Sequence, residues 1–310
     1  MDIVDDYSVR YFDLTNDLMF KIVFGSKGNE KLLLCLLNAL LMLKGKRQIK
    51  ELEILNPINL PEFRASKESI IDIRACDKSG ETYCVEMQIR ANPELIKRIL
   101  FYSAASFTRQ ISRGSKYSSL NKTVFLWIMC EKFLPEKEIY NKYLLKHHKN
   151  HHILTDLLEY HFVELEKFNK NKPTKLQTKF EKWLHLLKFG SFYRCEEQVP
   201  EDLKDEKEIS EVIKRMIDAN ADKKMRYEML NREIFLSDRA TELDAAEKKG
   251  IEKGIESGKI EVALEMLADR MPIEKIVKYS GLSVEQIQAL SVKNKLCEPK
   301  ARYNKKKPKK

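Results

Sequence analysis

Ser69-Ile-Ile-Asp-Ile-Arg-Ala-Cys76, Asp77-Lys-Ser-Gly80 and Thr82-Tyr-Cys-Val-Glu-Met-Gln-Ile-Arg90 form the stretch from which the fold is read. The outer segments alternate branched apolar residues with others, as strands do. The four residues between them are turn formers, so the stretch predicts a β-hairpin. Strand side chains alternate faces, which puts Ile70, Asp72 and Arg74 on one side of the first strand and Cys84, Glu86 and Gln88 on one side of the second. If the hairpin brings these faces together, Asp72 and Glu86 are adjacent carboxylates in an apolar sheet. A carboxylate at an exposed sheet edge is the plain alternative. Against it stand Ile70, Ile71, Ile73, Val85, Met87 and Ile89, which make both strands read as covered on both sides. Buried carboxylates are costly unless paired, protonated or bound to a cation. Oxygen ligands with open positions suit Mg²⁺ or Mn²⁺.

Working outward, residues 13–25 read as a short helix capped by Asp13 or Thr15 and stopped by Gly25. Residues 30–43 read as a second, mostly apolar helix, and residues 49–55 as a half-buried strand. Asn92-Pro93 opens a long helix running to about Arg113. Residues 122–129 form a strongly apolar strand, and residues 160–165 another, expected at the edge. The polar segment 136–150 between them is expected to be helix or loop. Beyond residue 174 strands disappear. Residues 175–189 are an amphipathic helix. Residues 201–269 are charged and helical, with an expected interruption at Gly250, Gly254 and Gly258, and residues 272–290 are two short helices joined at Gly281. The composition shift sets expected boundaries of 1–195 for the sheet domain, 196–292 for a helical region and 293–310 for a disordered basic tail.

Composition excludes several classes. Hydrophobic residues make up 43% of the 310, enough for a core. No apolar run approaches the roughly 20 residues of a membrane helix. The first ten residues hold three Asp and no apolar stretch, unlike a secretory leader, so the expected compartment is the cytoplasm. The six cysteines show no CxxC spacing, which argues against zinc, and Cys76 and Cys84 read as small core residues. Of the net charge of +10, residues 293–310 carry +8 (nine Lys or Arg, one Glu), which leaves the rest at +2. Such a tail attracts phosphates without specificity or is simply solvated.

Asp72 followed after a short hairpin by Glu86-Met87-Gln88 resembles the D…(D/E)xK signature of PD-(D/E)XK nucleases, with Gln in place of Lys. The stretch Thr15-Asn-Asp-Leu-Met-Phe-Lys-Ile-Val-Phe-Gly25 extends the likeness, as do Ile71-Asp-Ile-Arg74, Val85-Glu-Met-Gln88 and the series Tyr102, Gln110, Gly114, Tyr117. So do the Gly250/Gly254/Gly258 stretch and the Gly281-Leu-Ser-Val-Glu-Gln-Ile ending. Together they resemble the Rpn family of recombination-promoting nucleases and transposases over roughly residues 11–290. The resemblance implies an α/β fold, a restriction-endonuclease-like central mixed sheet flanked by helices, followed by an all-helical C-terminal region. It also implies metal-dependent cleavage of DNA, in recombination or mobile-element activity. Asp72 and Glu86 then correspond to the metal-binding acids, the Met87 carbonyl to the backbone ligand and Gln88 to the motif lysine. Gln88 can hydrogen-bond the attacking water but brings no positive charge, so the departure bears on rate rather than on metal binding.

Asp17 and Lys21, four residues apart, read either as an ion pair on a helix or as a first-helix acid approaching the metal beside a lysine that supplies the charge missing at Gln88. Tyr102, Gln110 and Tyr117 read as packing or capping residues, with Gln110 and Tyr117 alternatively lining a substrate cleft. The cluster His147, His148, His151 and His152 sits in a Lys-rich segment and reads as exposed rather than metal-binding. Residues 272–290 have the outline of a helix-turn-helix, but residues 283–290 lack Arg and Lys, so packing or homo-oligomerisation fits them better. The competing functional classes are a catalytically weak or inactive DNA-binding protein of the same fold and a regulator using the C-terminal helices.

Overall fold

A computed structural model describes residues 10–56, 72–88, 92–171 and 176–297. The hairpin read from the sequence is present. Strand β2 (Ile73–Asp77) turns at Gly80, whose φ of 89° suits glycine, into β3 (Thr82–Gln88). Asp77 Oδ1 accepts from the backbone N–H groups of Ser79 and Glu81 and so closes the turn. Strand β1 (Leu52–Ile54) pairs antiparallel with the outer side of β2. On the inner side β3 pairs parallel with β4 (Thr123–Met129), which pairs parallel with β6 (Ile153–Glu164). β5 (Tyr140–Lys146) closes the sheet antiparallel to β6, giving the order β1-β2-β3-β4-β6-β5.

Two expectations change here. The strand expected at the edge is longer, runs from Ile153 and lies second from the edge. The edge strand is β5, in the segment expected to be helix or loop. β5 carries Asn141, Lys142 and Lys146 and is mostly exposed. An edge strand needs little apolar alternation, and lysine there discourages pairing with another chain. The proposed strand residues 69–71, residues 89 and 90, and the tail from 298 lie outside the described residues.

Both faces of the sheet are covered, as expected of a parallel centre. Every residue of β4 is buried. Helix α3 (Leu95–Thr108) lies over one face, where Leu95 and Ile99 pack with Cys84, Phe125, Trp127, Met129 and Phe162. It starts later than expected, because Asn92 makes an Asx turn by accepting from the Glu94 N–H before the helix begins, and it ends at Thr108 rather than near Arg113. On the other face lie α1 (Asp17–Gly25), α2 (Glu30–Leu40), α4 (Lys179–Phe189), the single turn α5 (Glu201–Lys204) and α6 (Lys207–Ala221). Asn16, rather than Asp13 or Thr15, caps α1 by accepting from the Met19 N–H at 3.0 Å, while Asp13 binds Thr15. Asn220 on α6 accepts from the Phe12 N–H and donates to the Phe12 carbonyl, both at 2.8 Å, which fixes the segment entering α1.

The chain divides into compact units of residues 1–233 and 234–310. The sheet-bearing unit thus runs past residue 195, because Leu203, Ile209, Val212, Ile213, Met216 and Met229 belong to its core. Helix α7 (Lys223–Ala268) is continuous through Gly250, Gly254 and Gly258, against the expected interruption. Each glycine costs about 1 kcal/mol relative to alanine in a helix, which weakens α7 without breaking it. In the second unit α8 (Ile273–Ser280) and α9 (Val284–Cys297) meet at Gly281, whose φ is 69°. Ser283 and Gln286 form a reciprocal capping box at the start of α9. Ala263, Ile276, Leu282 and Ile287 are this unit's buried apolar residues.

Candidate active site

The β2–β3 register pairs Ile73 with Val85, so one step further Asp72 faces Glu86. The backbone N–H of Asp72 donates to Glu86 Oε2 at 2.8 Å. The Met87 N–H donates to Asp72 Oδ2 at 3.1 Å, and Lys21 Nζ of α1 lies 2.7 Å from Asp72 Oδ1. The Lys21 and Asp72 side chains are only 6% and 8% exposed. The two acids read from the hairpin are therefore brought together, below the surface, with Lys21 against them.

The electrostatics are those of too much negative charge for the space. Burial raises the Asp72 carboxyl, and Asp17 pushes the same way, against the lowering effect of Lys21 and the Met87 N–H. Burial and then the Asp72 charge raise Glu86 well above the ordinary range, although the Asp72 N–H, Lys21 and Arg98 of α3 pull it down. One lysine does not neutralise the pair.

Of the two readings of Asp17 and Lys21, the helix ion pair is not formed. Lys21 turns to Asp72, and the Asp17 carboxylate accepts from Arg232 Nε of α7 at 3.0 Å. Asp17 remains close enough to be felt by Asp72. Gln88 ends β3 on the Glu86 face, half-buried, and its carbonyl accepts from the Cys130 N–H. Arg98 and Arg232 were not read from the sequence. Arg98 gives no signal beyond a basic residue on an amphipathic helix, and Arg232 lies about 215 positions from Asp17.

The remaining candidates lie elsewhere. Gln110 binds the backbone of Asn121 in both directions and the Thr123 hydroxyl, tying the end of α3 to the start of β4. That is the structural role, at the opposite end of β4 from the partner of Glu86, which is Trp127. Tyr117 is 82% exposed, and Tyr102 sits under Arg98, 5.8 Å from ring centre to guanidinium. His147, His148, His151 and His152 are exposed around the β5–β6 connection. Cys84 is buried against Ser106, as a core residue, and Cys76 is a half-buried free thiol.

The donor set suits a hard divalent cation: two opposed carboxylates raised by burial, whose negative charge such an ion would neutralise. Among the described residues no group of three or more His, Cys, Asp and Glu has metal-holding geometry. Two carboxylates alone would need other oxygen ligands, from backbone or water, to complete such a site. Among them, too, no helix is long and apolar enough to cross a membrane.

No curated protein and no solved structure matches the chain. A family model described as PD-(D/E)XK nuclease family transposase matches residues 14–246, which spans α1, the whole sheet and most of the helices that cover it. With the mixed sheet, the flanking helices and the helical C-terminal region, this match identifies a nuclease-type protein, and the chain belongs to the PD-(D/E)XK nuclease family of transposases.

Proposed function

We propose that the protein is a DNA endonuclease that hydrolyses phosphodiester bonds with Mg²⁺ or Mn²⁺ held at Asp72 and Glu86, acting in recombination or the movement of mobile elements. The observation that carries this reading is the opposed pair itself, two carboxylates whose charged forms burial disfavours, with Lys21 against Asp72. The Met87 carbonyl is the backbone ligand in this reading, and Asp17, tethered by Arg232, is an outer carboxylate. A bound ion supplies a water of lowered pKa and countercharge for the phosphate.

The chain's own groups do the rest. Lys21 neutralises Asp72 and brings to the pair the positive charge that Gln88 lacks. Its 2.7 Å contact replaces, from α1, what the usual motif carries on β3. The Gln88 amide can accept from and donate to a water, and so orients one without charging it. Glu86, raised by burial and by Asp72, would be drawn toward its charged form by a bound cation. The basic residues beyond 293 add attraction to DNA that depends on salt.

Supercoiled plasmid is the test substrate. The purified protein nicks it with Mg²⁺ or Mn²⁺ and stops on addition of EDTA. Cleavage that continues undiminished in chelator removes the metal from the account, and binding without any cleavage leaves a DNA-binding protein of the same fold.

A further inference from the structure

A second polar site lies on the opposite face of the sheet from Glu86. The residue pairings put Tyr83, Val124, Glu159, His161 and Lys142 on the face that carries Val85 rather than Glu86. There the sheet and the segment following α2, residues 41–51, line an open cavity of about 780 Å³. Ligand pockets commonly span about 300–1,000 Å³.

The floor is built around one carboxylate. Glu159 Oε1 receives Lys122 Nζ at 3.0 Å and Lys142 Nζ at 2.8 Å, and Oε2 lies 3.1 Å from His161 Nε2. Glu159 and His161 are 7% and 3% exposed. A carboxylate only accepts, so Nε2 carries the proton, and Nδ1 is left to accept from the Tyr140 hydroxyl at 2.7 Å. Burial lowers His161, which keeps it neutral. Burial alone would raise Glu159, but the bonds from His161, Lys142 and Lys122 bring it down to about 2. Tyr140, His161 and Glu159 thus form a fixed chain holding two ammonium groups, of which Lys122 also lies 3.8 Å from the carboxylate of exposed Asp156. Each lysine has further N–H donors to offer.

The rim adds positive charge. Lys46, Arg47 and Lys50 line the cavity, and among the described residues none of the three meets a carboxylate. Lys78 pairs with Glu51. Asp77 is committed to the hairpin turn and Glu81 accepts from the Tyr83 hydroxyl. Six cations against four acids leave the lining at +2 with His161 neutral. Tyr83 and Tyr140 provide aromatic wall.

We propose that this cavity binds a small phosphate ester of nucleotide size, its phosphate held by Lys122 and Lys142 from the floor and by Arg47 with its neighbouring lysines from the rim. A concave site with cations at its floor suits a small ligand better than a duplex, whose phosphates need cations that protrude. Tyr140, His161 and Glu159 act as positioning residues for the two floor lysines. The site shares no residue with the Asp72–Glu86 pair, so it stands or falls independently of the nuclease reading.

Calorimetry on the full chain tests it, with adenosine diphosphate, inorganic phosphate, adenosine and a short DNA duplex as separate titrants. Adenosine diphosphate binds at one saturable site, inorganic phosphate more weakly and adenosine not at all. Arg47→Ala and Lys142→Ala each weaken adenosine diphosphate by about tenfold, the effect of one charge-assisted hydrogen bond. Arg47 is exposed, so its variant keeps the fold. The proposal is overturned if neither phosphate compound saturates, if adenosine binds as well as its diphosphate, if both variants bind like wild type, or if only the duplex binds and the variants abolish it.

Discussion

Glu86 and Asp72 are chemically similar neighbours with unequal expected effects when neutralised. Glu86 is raised well above the ordinary carboxylate range, so folding favours its protonated form. Its cost to stability is therefore absent below the unfolded pKa and grows as pH rises through the folded one. Glu86→Gln, measured in chelator, should melt above wild type at pH 8, and the gap should close toward about pH 4, near the unfolded value. Asp72→Asn removes a partner of the buried Lys21 ammonium, but burial and Asp17 leave Asp72 itself raised above its ordinary value, so the two effects oppose and its melting should move less than that of Glu86→Gln. Thermal scans of both variants across pH check this, and an equal shift of both in one direction contradicts the geometry. The acid pair was legible in the sequence because alternation fixes which residues share a face and the flanking Ile and Val residues mark burial. The partner of Asp17 was not, because nothing local in residues 13–25 points to Arg232.

At the scale of elements, strands with two covered faces announce themselves by unbroken apolar runs, and β4 was read almost to the residue. β5 did not, because an edge strand is half solvated and satisfied on one side only. Helix ends were read less well than helix cores, since Asn92 spends its side chain on a turn before α3 rather than on a cap. The join between the entering chain and α6 was invisible for a different reason: one amide spans about 208 positions. Asn220→Ala leaves the N–H and carbonyl of buried Phe12 without that partner and should cost about 1–3 kcal/mol in denaturant unfolding. A loss under about 0.5 kcal/mol, the range of ordinary surface changes, means the clamp is dispensable.

For the whole molecule, the sheet-bearing unit should end where its core does. A fragment of residues 1–233 should unfold cooperatively, whereas 1–195 should not, since it lacks Ile209, Val212, Ile213 and Met216 from the core, Asn220 from Phe12 and Arg232 from Asp17. Cooperative melting of 1–195 at the temperature of 1–233 would return the boundary to where composition alone sets it. The central claim, that Asp72 and Glu86 hold the metal on which cleavage depends, is tested most directly in the intact protein. The measurement is Mn²⁺ titration by calorimetry on wild type, Asp72→Ala and Glu86→Ala, with plasmid nicking on the same preparations. The account predicts that wild type binds Mn²⁺, and that each variant loses both the binding and the nicking while remaining folded. An Asp72→Ala protein that binds Mn²⁺ as wild type does and still nicks plasmid would contradict it.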